Sequence, residues 1–375
     1  MADYSEYGIP SAEWLALEPN IPPLPAFSSV DELKQITNGG REKVSAEEMI
    51  SQGLSEVVAL TDHSIPTRDG STVEARSYRP KTLPSSGPLP VYVHLHGGGF
   101  LFGTLSSEDA GCSRIVKSFL EQYNQGIVVL NVNYRHTPEF TFPTAWEDVE
   151  DALVWLHGIP EAELERTLGV GIDRSRVVVG GISAGGQLSA SASLKQNLGL
   201  GPTAKLPKLK GQVLMIPALV HLDHQENIRK QLKSPEASSY HTQSNAPILD
   251  LKRIKLFTDQ LKVSDAVLKG EGFANDRRLN IGNATPDEVK GLPATVFGIA
   301  GSDPLRDEGL FFAKLLADQG VPTNVQVFPG HPHGGRRYGN QLPIASKAWD
   351  ACIVEGIHWI LSEPAAAAFD IKKAY

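Results

Sequence analysis

The sequence predicts an α/β protein built on a mostly parallel sheet of eight strands flanked by helices, and three observations predict it. Short β-branched runs bounded by Gly or Pro recur along the chain, helical patterns separate them from the third run onward, and the later runs are continuously apolar. Alternating strands and helices imply βαβ units. Strands apolar on both faces belong in a sheet covered on both sides.

The first two runs, 57–65 (VVALTDHSI) and 72–79 (TVEARSYR), precede the alternation. The third, 90–96 (PVYVHLH), leads to a helical pattern at 113–123, and the fourth, 126–134 (GIVVLNVNY), to one at 145–158. The fifth, 176–181 (RVVVGG), opens directly into a helix, and the sixth, 211–219 (GQVLMIPAL), precedes a long polar stretch. The seventh, 294–301 (ATVFGIAG), and the eighth, 323–330 (TNVQVFPG), are followed by helical patterns at 309–320 and 346–361.

Two segments stand outside this alternation. Residues 1–55 carry amphipathic helical pieces around SVDELKQI and SAEEMISQGL, and residues 220–290 are polar, helix-prone and without strand signals. Connections this long in compact α/β proteins often carry function, so both are expected to form a helical cap. The expected organisation is an N-terminal cap segment at 1–55, a core at 56–219, a cap or insertion at 220–290, and the rest of the core at 291–375.

Composition narrows the partners. The chain has 375 residues, 41% of them hydrophobic, and a net charge of -8 with no Lys/Arg cluster. That balance argues against a nucleic-acid footprint and against a polybasic membrane patch, leaving a small molecule as the expected partner. Cys112 and Cys352 are too few for a disulfide framework and form no metal-ligand pattern, which favours a reducing compartment. The start, MADYSEYGIP, lacks the basic and apolar regions of a signal peptide, and no stretch approaches the ~20 apolar residues of a membrane span. A cytoplasmic protein without stable membrane insertion is the expectation.

The sharpest motif is Gly181-Ile182-Ser183-Ala184-Gly185, G-x-S-x-G between a strand and a helix. A nucleophile on so tight a turn needs glycines two residues either side, where side chains would collide with neighbouring elements. A serine hydroxyl attacks only when a base takes its proton, and that base needs a carboxylate to orient it. In the chain order serine, carboxylate, histidine, Asp303 follows the seventh strand and His333 the eighth, both on loops at strand C-terminal ends. Asp307 reads better as a negative charge at a helix N-terminus, and His331 as a loop histidine beside the base. Gly334 and Gly335 would let backbone pass close to the reacting centre.

Attack on a carbonyl creates an oxyanion, which needs backbone N–H groups aimed at it. Gly97, Gly98 and Gly99, in HLHGGGFLFG, expose such donors beside that of Ala184, with His96 anchoring the loop rather than moving protons.

Four blocks in order, HLHGGGFLFG, NVNYRHTPEFTFPTAWEDV, GGISAGGQLSA and GSDPLRDEG, with GHPHGG as a looser fifth, resemble the hormone-sensitive-lipase family of α/β-hydrolases. The resemblance spans roughly residues 60–360. It implies an α/β-hydrolase fold with a helical cap and carboxylic ester hydrolysis without a cofactor. It implies Ser183, Asp303 and His333 as catalytic residues and Gly98, Gly99 and Ala184 as the oxyanion hole. Such esterases occur as monomers or homodimers.

The chain departs from the family in two places. Ile182 is apolar where the family usually carries Asp or Thr, and Gly335 replaces the aromatic that commonly follows the Gly after the histidine. With the long polar insertion, these point to a specialised natural-product ester or lactone. Other functions on this fold are a non-hydrolytic catalyst (cyclase, dehydratase or acyltransferase) using His333 as a base without acylation, and a non-enzymatic small-ligand receptor. The receptors that resemble this family lack the histidine retained here.

Overall fold

The computed structural model describes residues 1–23, 25–83, 87–264, 267, 272 and 275–375. Among them nine strands form one sheet: β1 (Val58–Pro66), β2 (Thr72–Pro80), β3 (Leu89–Leu95), β4 (Val128–Asn133), β5 (Ile172–Ile182), β6 (Gly211–Met215), β7 (Ala294–Ser302), β8 (Thr323–Pro332) and β9 (Ile371–Lys373). Their order is β1-β2-β4-β3-β5-β6-β7-β8-β9. β2 pairs antiparallel with β1 and β4, and the remaining pairings are parallel.

All eight runs read in the sequence become strands, and the expected count of eight is corrected to nine. β9 is three residues, Ile-Lys-Lys, paired with Val325–Val327 at the sheet edge. It was invisible because an edge strand needs neither length nor an apolar run, and lysines suit an edge that must not recruit another chain. The sixth run also stops early, at Met215. Ile216 takes φ 42 and Pro217 follows, so no ladder can continue.

The helices that position the site are α1 (Val30–Ser51), α2 (Asp109–Tyr123), α3 (Thr144–Gly158), α4 (Ala184–Asn197), α5 (Leu251–Gln260), α6 (Arg306–Asp318) and α7 (Pro343–Leu361). α2 and α7 cover one face of the sheet; α3, α4 and α6 cover the other. Alternation within the strands explains the double burial. Val91 and Val93 pack toward α3 and α4 while Tyr92 packs toward α2 and α7, so every residue of β3 is buried.

α1 lies against the loop that follows β3. Leu33 packs with Leu101 and Phe102, Asn38 Oδ1 accepts from Gly103 N–H at 2.9 Å, and Ser45 Oγ accepts from Ala110 N–H at 3.1 Å. α5 reaches the same loop from the later insertion, with Phe257 edge-on to Phe102 at 5.6 Å. Of the expected insertion at 220–290, residues 265, 266, 268–271, 273 and 274 lie outside the described residues. Among the described residues no helix is long and apolar enough to cross a membrane.

Candidate active site

Ser183 sits between β5 and α4 with φ 56 and ψ -113, a strained conformation for a residue with a Cβ. Two glycines make the turn sterically possible. A Cβ on Gly181 or Gly185 would run into the Leu95 carbonyl oxygen of adjacent β3. The Ser183 N–H is held at 2.8 Å by the Met215 carbonyl of β6, on the other side.

Asp303 follows the last residue of β7, and His333 the last of β8, so the three side chains meet at the C-terminal edge of the sheet. The Ser183 hydroxyl donates to His333 Nε2 at 2.9 Å. His333 Nδ1–H donates to Asp303 Oδ2 at 2.7 Å, the tautomer an aspartate partner requires. Asp303 Oδ1 accepts from the Leu305 N–H at 2.9 Å, which fixes the carboxylate plane. Asp303 and His333 are both buried.

The two alternatives lie elsewhere. Asp307, in the first turn of α6, accepts from Ser239 N–H at 2.7 Å and from Arg306 at 2.8 Å. His331 is buried against Phe328 and Trp349 with no partner on either ring nitrogen among the described residues, and burial pushes its pKa down to about 4. The glycine pair has a reason sequence did not supply. Gly334 takes φ 67 in the turn, and a Cβ on Gly335 would stand 2.7 Å from the His331 ring.

The loop Gly97–Gly99 is oriented through its carbonyls. Arg41 Nη1 donates to Gly97 O at 2.9 Å and His96 Nδ1–H at 3.1 Å. Because a trans peptide opposes C=O and N–H, this turns the Gly98 N–H the other way. The Gly98 carbonyl accepts from Leu101 and Phe102 N–H at 3.1 and 3.0 Å, which sets the Gly99 N–H likewise. Gly98 and Gly99 have φ 139 and 62, and a Cβ on either would run into Phe102 or Phe257. Ala184, first residue of α4, has an N–H without an i−4 partner in its helix.

His96 anchors this loop from below. Its ring stacks on Tyr134 with centroids 4.4 Å apart, its Nε2 accepts from His136 Nε2–H at 3.2 Å, and burial pushes its pKa down to about 4. Beneath Arg41, Glu108 bonds its guanidinium at 2.8 Å and His94 at 3.1 Å. Burial opposes the Glu108 charge, yet these partners hold its carboxyl well below the usual range.

Two spaces meet at Ser183. One is a chamber of about 590 Å³ whose wall includes Gly98, Gly99 and His333. The other is an apolar pocket of about 60 Å³ bounded by Ala184, Gln187, Tyr240 and Leu279, and not by His333. Gly99, Leu249 and Phe257 line both, so Phe257 is part of the partition.

Sequence reading missed Arg41 and Phe257. Each lies in a helix far along the chain from the loop it touches, and nothing in its local pattern distinguishes it from an ordinary amphipathic position.

The fold, with a serine–histidine–aspartate row at the carboxyl edge of its sheet, defines the class as that of the α/β-hydrolases. A family model described as an alpha/beta hydrolase fold matches residues 92–335, and the chain belongs to that family, in its hormone-sensitive-lipase-like branch. It is 32% identical to carboxylesterase NlhH of Mycobacterium tuberculosis, over 75% of this chain and 76% of that one. It is 28% identical to versiconal hemiacetal acetate esterase of Dothistroma septosporum, over 84% and 86%. A solved vibralactone cyclase superimposes with a TM-score of 0.78 at 23% identity, over 96% of each chain, a likeness of fold.

Proposed function

We propose that this protein hydrolyses carboxylic esters of short-chain acids with bulky alcohols, natural-product esters among them, through an acyl-enzyme on Ser183. The observation that carries the reading is the bonded row from Ser183 Oγ through His333 to Asp303. His333 takes the hydroxyl proton as Ser183 attacks the carbonyl, Asp303 stabilises the imidazolium, and His333 returns the proton to the leaving alcohol. Gly98, Gly99 and Ala184 N–H groups bind the oxyanion, each donor contributing about 2.7–4 kcal/mol in well-studied cases. Water then repeats the sequence and releases the acid. No cofactor takes part in these steps.

The two spaces divide the substrate. The leaving oxygen must lie beside His333 Nε2, so the alcohol takes the chamber that His333 lines, and the acyl group takes the apolar pocket. A pocket of about 60 Å³ holds only a handful of water-sized groups, at roughly 10–15 Å³ each. Acetyl to butyryl groups suit it. Two relatives are named for acetates, ethyl acetate hydrolase and versiconal hemiacetal acetate esterase, which agrees with a short acyl group. α1 and α5 act as the cap over this site.

The test is hydrolysis of p-nitrophenyl esters from acetate to decanoate by wild type and Ser183→Ala, with intact mass after a fluorophosphonate probe. Turnover greatest at two to four carbons, lost in Ser183→Ala, and one adduct on Ser183 are expected. Turnover surviving in Ser183→Ala would overturn the acyl-enzyme, and an optimum at eight or ten carbons would overturn the assignment of the pocket.

A further inference from the structure

The chamber beside Ser183 is basic in a protein that is acidic overall, with 43 Asp and Glu against 35 Lys and Arg in the chain. Five arginines and three carboxylates line it. Three arginines are matched: Arg41 with Glu108 at 2.8 Å, Arg114 with Glu48 at 2.8 Å, and Arg336 with Asp350 at 2.9 Å. Arg253 and Arg337 are left over. Arg253 Nη1 donates to the Ile248 carbonyl at 2.9 Å and Arg337 Nε to the Gly334 carbonyl at 3.2 Å, and among the described residues neither has a carboxylate partner.

Both come from elements that build the active site. Arg253 is one turn before Phe257 on α5, so the two share a helix face. Arg337 lies four residues after His333 and bonds the carbonyl of the residue next to it. Arg337 is exposed at the chamber wall and Arg253 is half-buried there, so both guanidinium groups are open to whatever enters. Two guanidinium groups without carboxylate partners lining one chamber attract a negative group, and a planar fork suits a carboxylate.

We propose that Arg253 and Arg337 form a subsite for a carboxylate on the alcohol portion of the substrate, so that the preferred esters are short-chain acyl esters of hydroxy acids. This rests on the reading of the site as an esterase with its alcohol in the large chamber. The carboxylate accepts from both guanidiniums while the ester carbonyl reaches Ser183, and the anchored acid is released with the alcohol.

The experiment compares acetates of 4-hydroxybenzoate, 3-(4-hydroxyphenyl)propanoate and 6-hydroxyhexanoate with the acetates of the matching neutral primary amides. At least one carboxylate should exceed its amide in kcat/KM by about tenfold or more, mainly through KM, as one charge-assisted hydrogen bond would give. The ratio should fall toward one in Arg253→Gln and in Arg337→Gln, return in part in Arg337→Lys, and shrink as salt is raised. Melting curves show whether each variant is folded, and the ratio is read only within one folded protein. If wild type hydrolyses the amides and no carboxylate exceeds its partner, the anion subsite is wrong and the esterase reading stands. If no acetate is cleaved and Ser183 takes no fluorophosphonate, both readings fall together.

Discussion

Arg41, in the helix Val30–Ser51, donates to the Gly97 carbonyl at 2.9 Å, and through that peptide sets the direction of the Gly98 N–H. Glu108, bonded at 2.8 Å, holds the guanidinium in place. Arg41 is thus a positioning residue supplied by a segment outside the alternating core. In Arg41→Ala the proposed oxyanion donor loses its orientation, and kcat for p-nitrophenyl acetate should fall about tenfold or more with KM little changed. Hydrogen bonds from charged groups contribute about 1.5–3 kcal/mol. Arg41→Lys should recover part of the loss. A lower melting temperature with kcat intact would make Arg41 structural only.

The two histidines of GHPHG should separate cleanly. His333→Gln removes the proposed proton acceptor, and kcat should drop by roughly 10⁴-fold or more while the fold persists. His331→Leu replaces two buried nitrogens that have no partners with carbon, so its melting temperature should match or exceed that of wild type. Its kcat should stay within a few-fold. A collapse of activity in His331→Leu with normal stability would give that residue a part in the chemistry.

Phe257 stands between the two spaces and against Gly99. Phe257→Ala should join the small pocket to the chamber and move the acyl optimum from acetate or butyrate toward hexanoate and octanoate. The measurement is the ratio of kcat/KM for octanoate to that for acetate, expected to rise at least tenfold. Truncating so large a side chain should also lower stability by about 3 kcal/mol. An unchanged chain-length profile would remove Phe257 as the partition.

Glu308 sets a pH dependence of stability. Its buried carboxyl accepts from the Leu219 N–H at 2.6 Å and from Gln225 at 2.9 Å, and burial outweighs these bonds, raising its pKa to about 8. The unfolded chain releases that proton near ~4.3. Between these values the folded state binds more protons, so the contribution is fully present at low pH and is lost as pH rises toward 8. Melting curves should show wild type losing stability relative to Glu308→Gln from pH 5 to 8. Parallel curves would show that Glu308 ionises normally in the fold.

The strands were legible because a buried parallel strand must be apolar on both sides, a property of adjacent residues. β9 was not, because three residues at an edge are selected by the neighbour they pair with. The early end of β6 was not either, since Ile216 at positive φ violates the local preference of a β-branched side chain and persists only where the surrounding structure holds it.

By itself the sequence determined the alternation of strands and helices and the chain order of Ser183, Asp303 and His333, because the elbow and the strand-end loops are local patterns. Only the tertiary structure decided that these three side chains bond in a row, since that depends on β5, β7 and β8 ending at one edge. It alone decided what surrounds them. Arg41 beneath the glycine loop, Phe257 between the pockets, and Arg253 facing the same chamber as Arg337 are juxtapositions of residues far apart in the chain. Such juxtapositions arise from packing, which leaves no periodic trace in the segments it brings together.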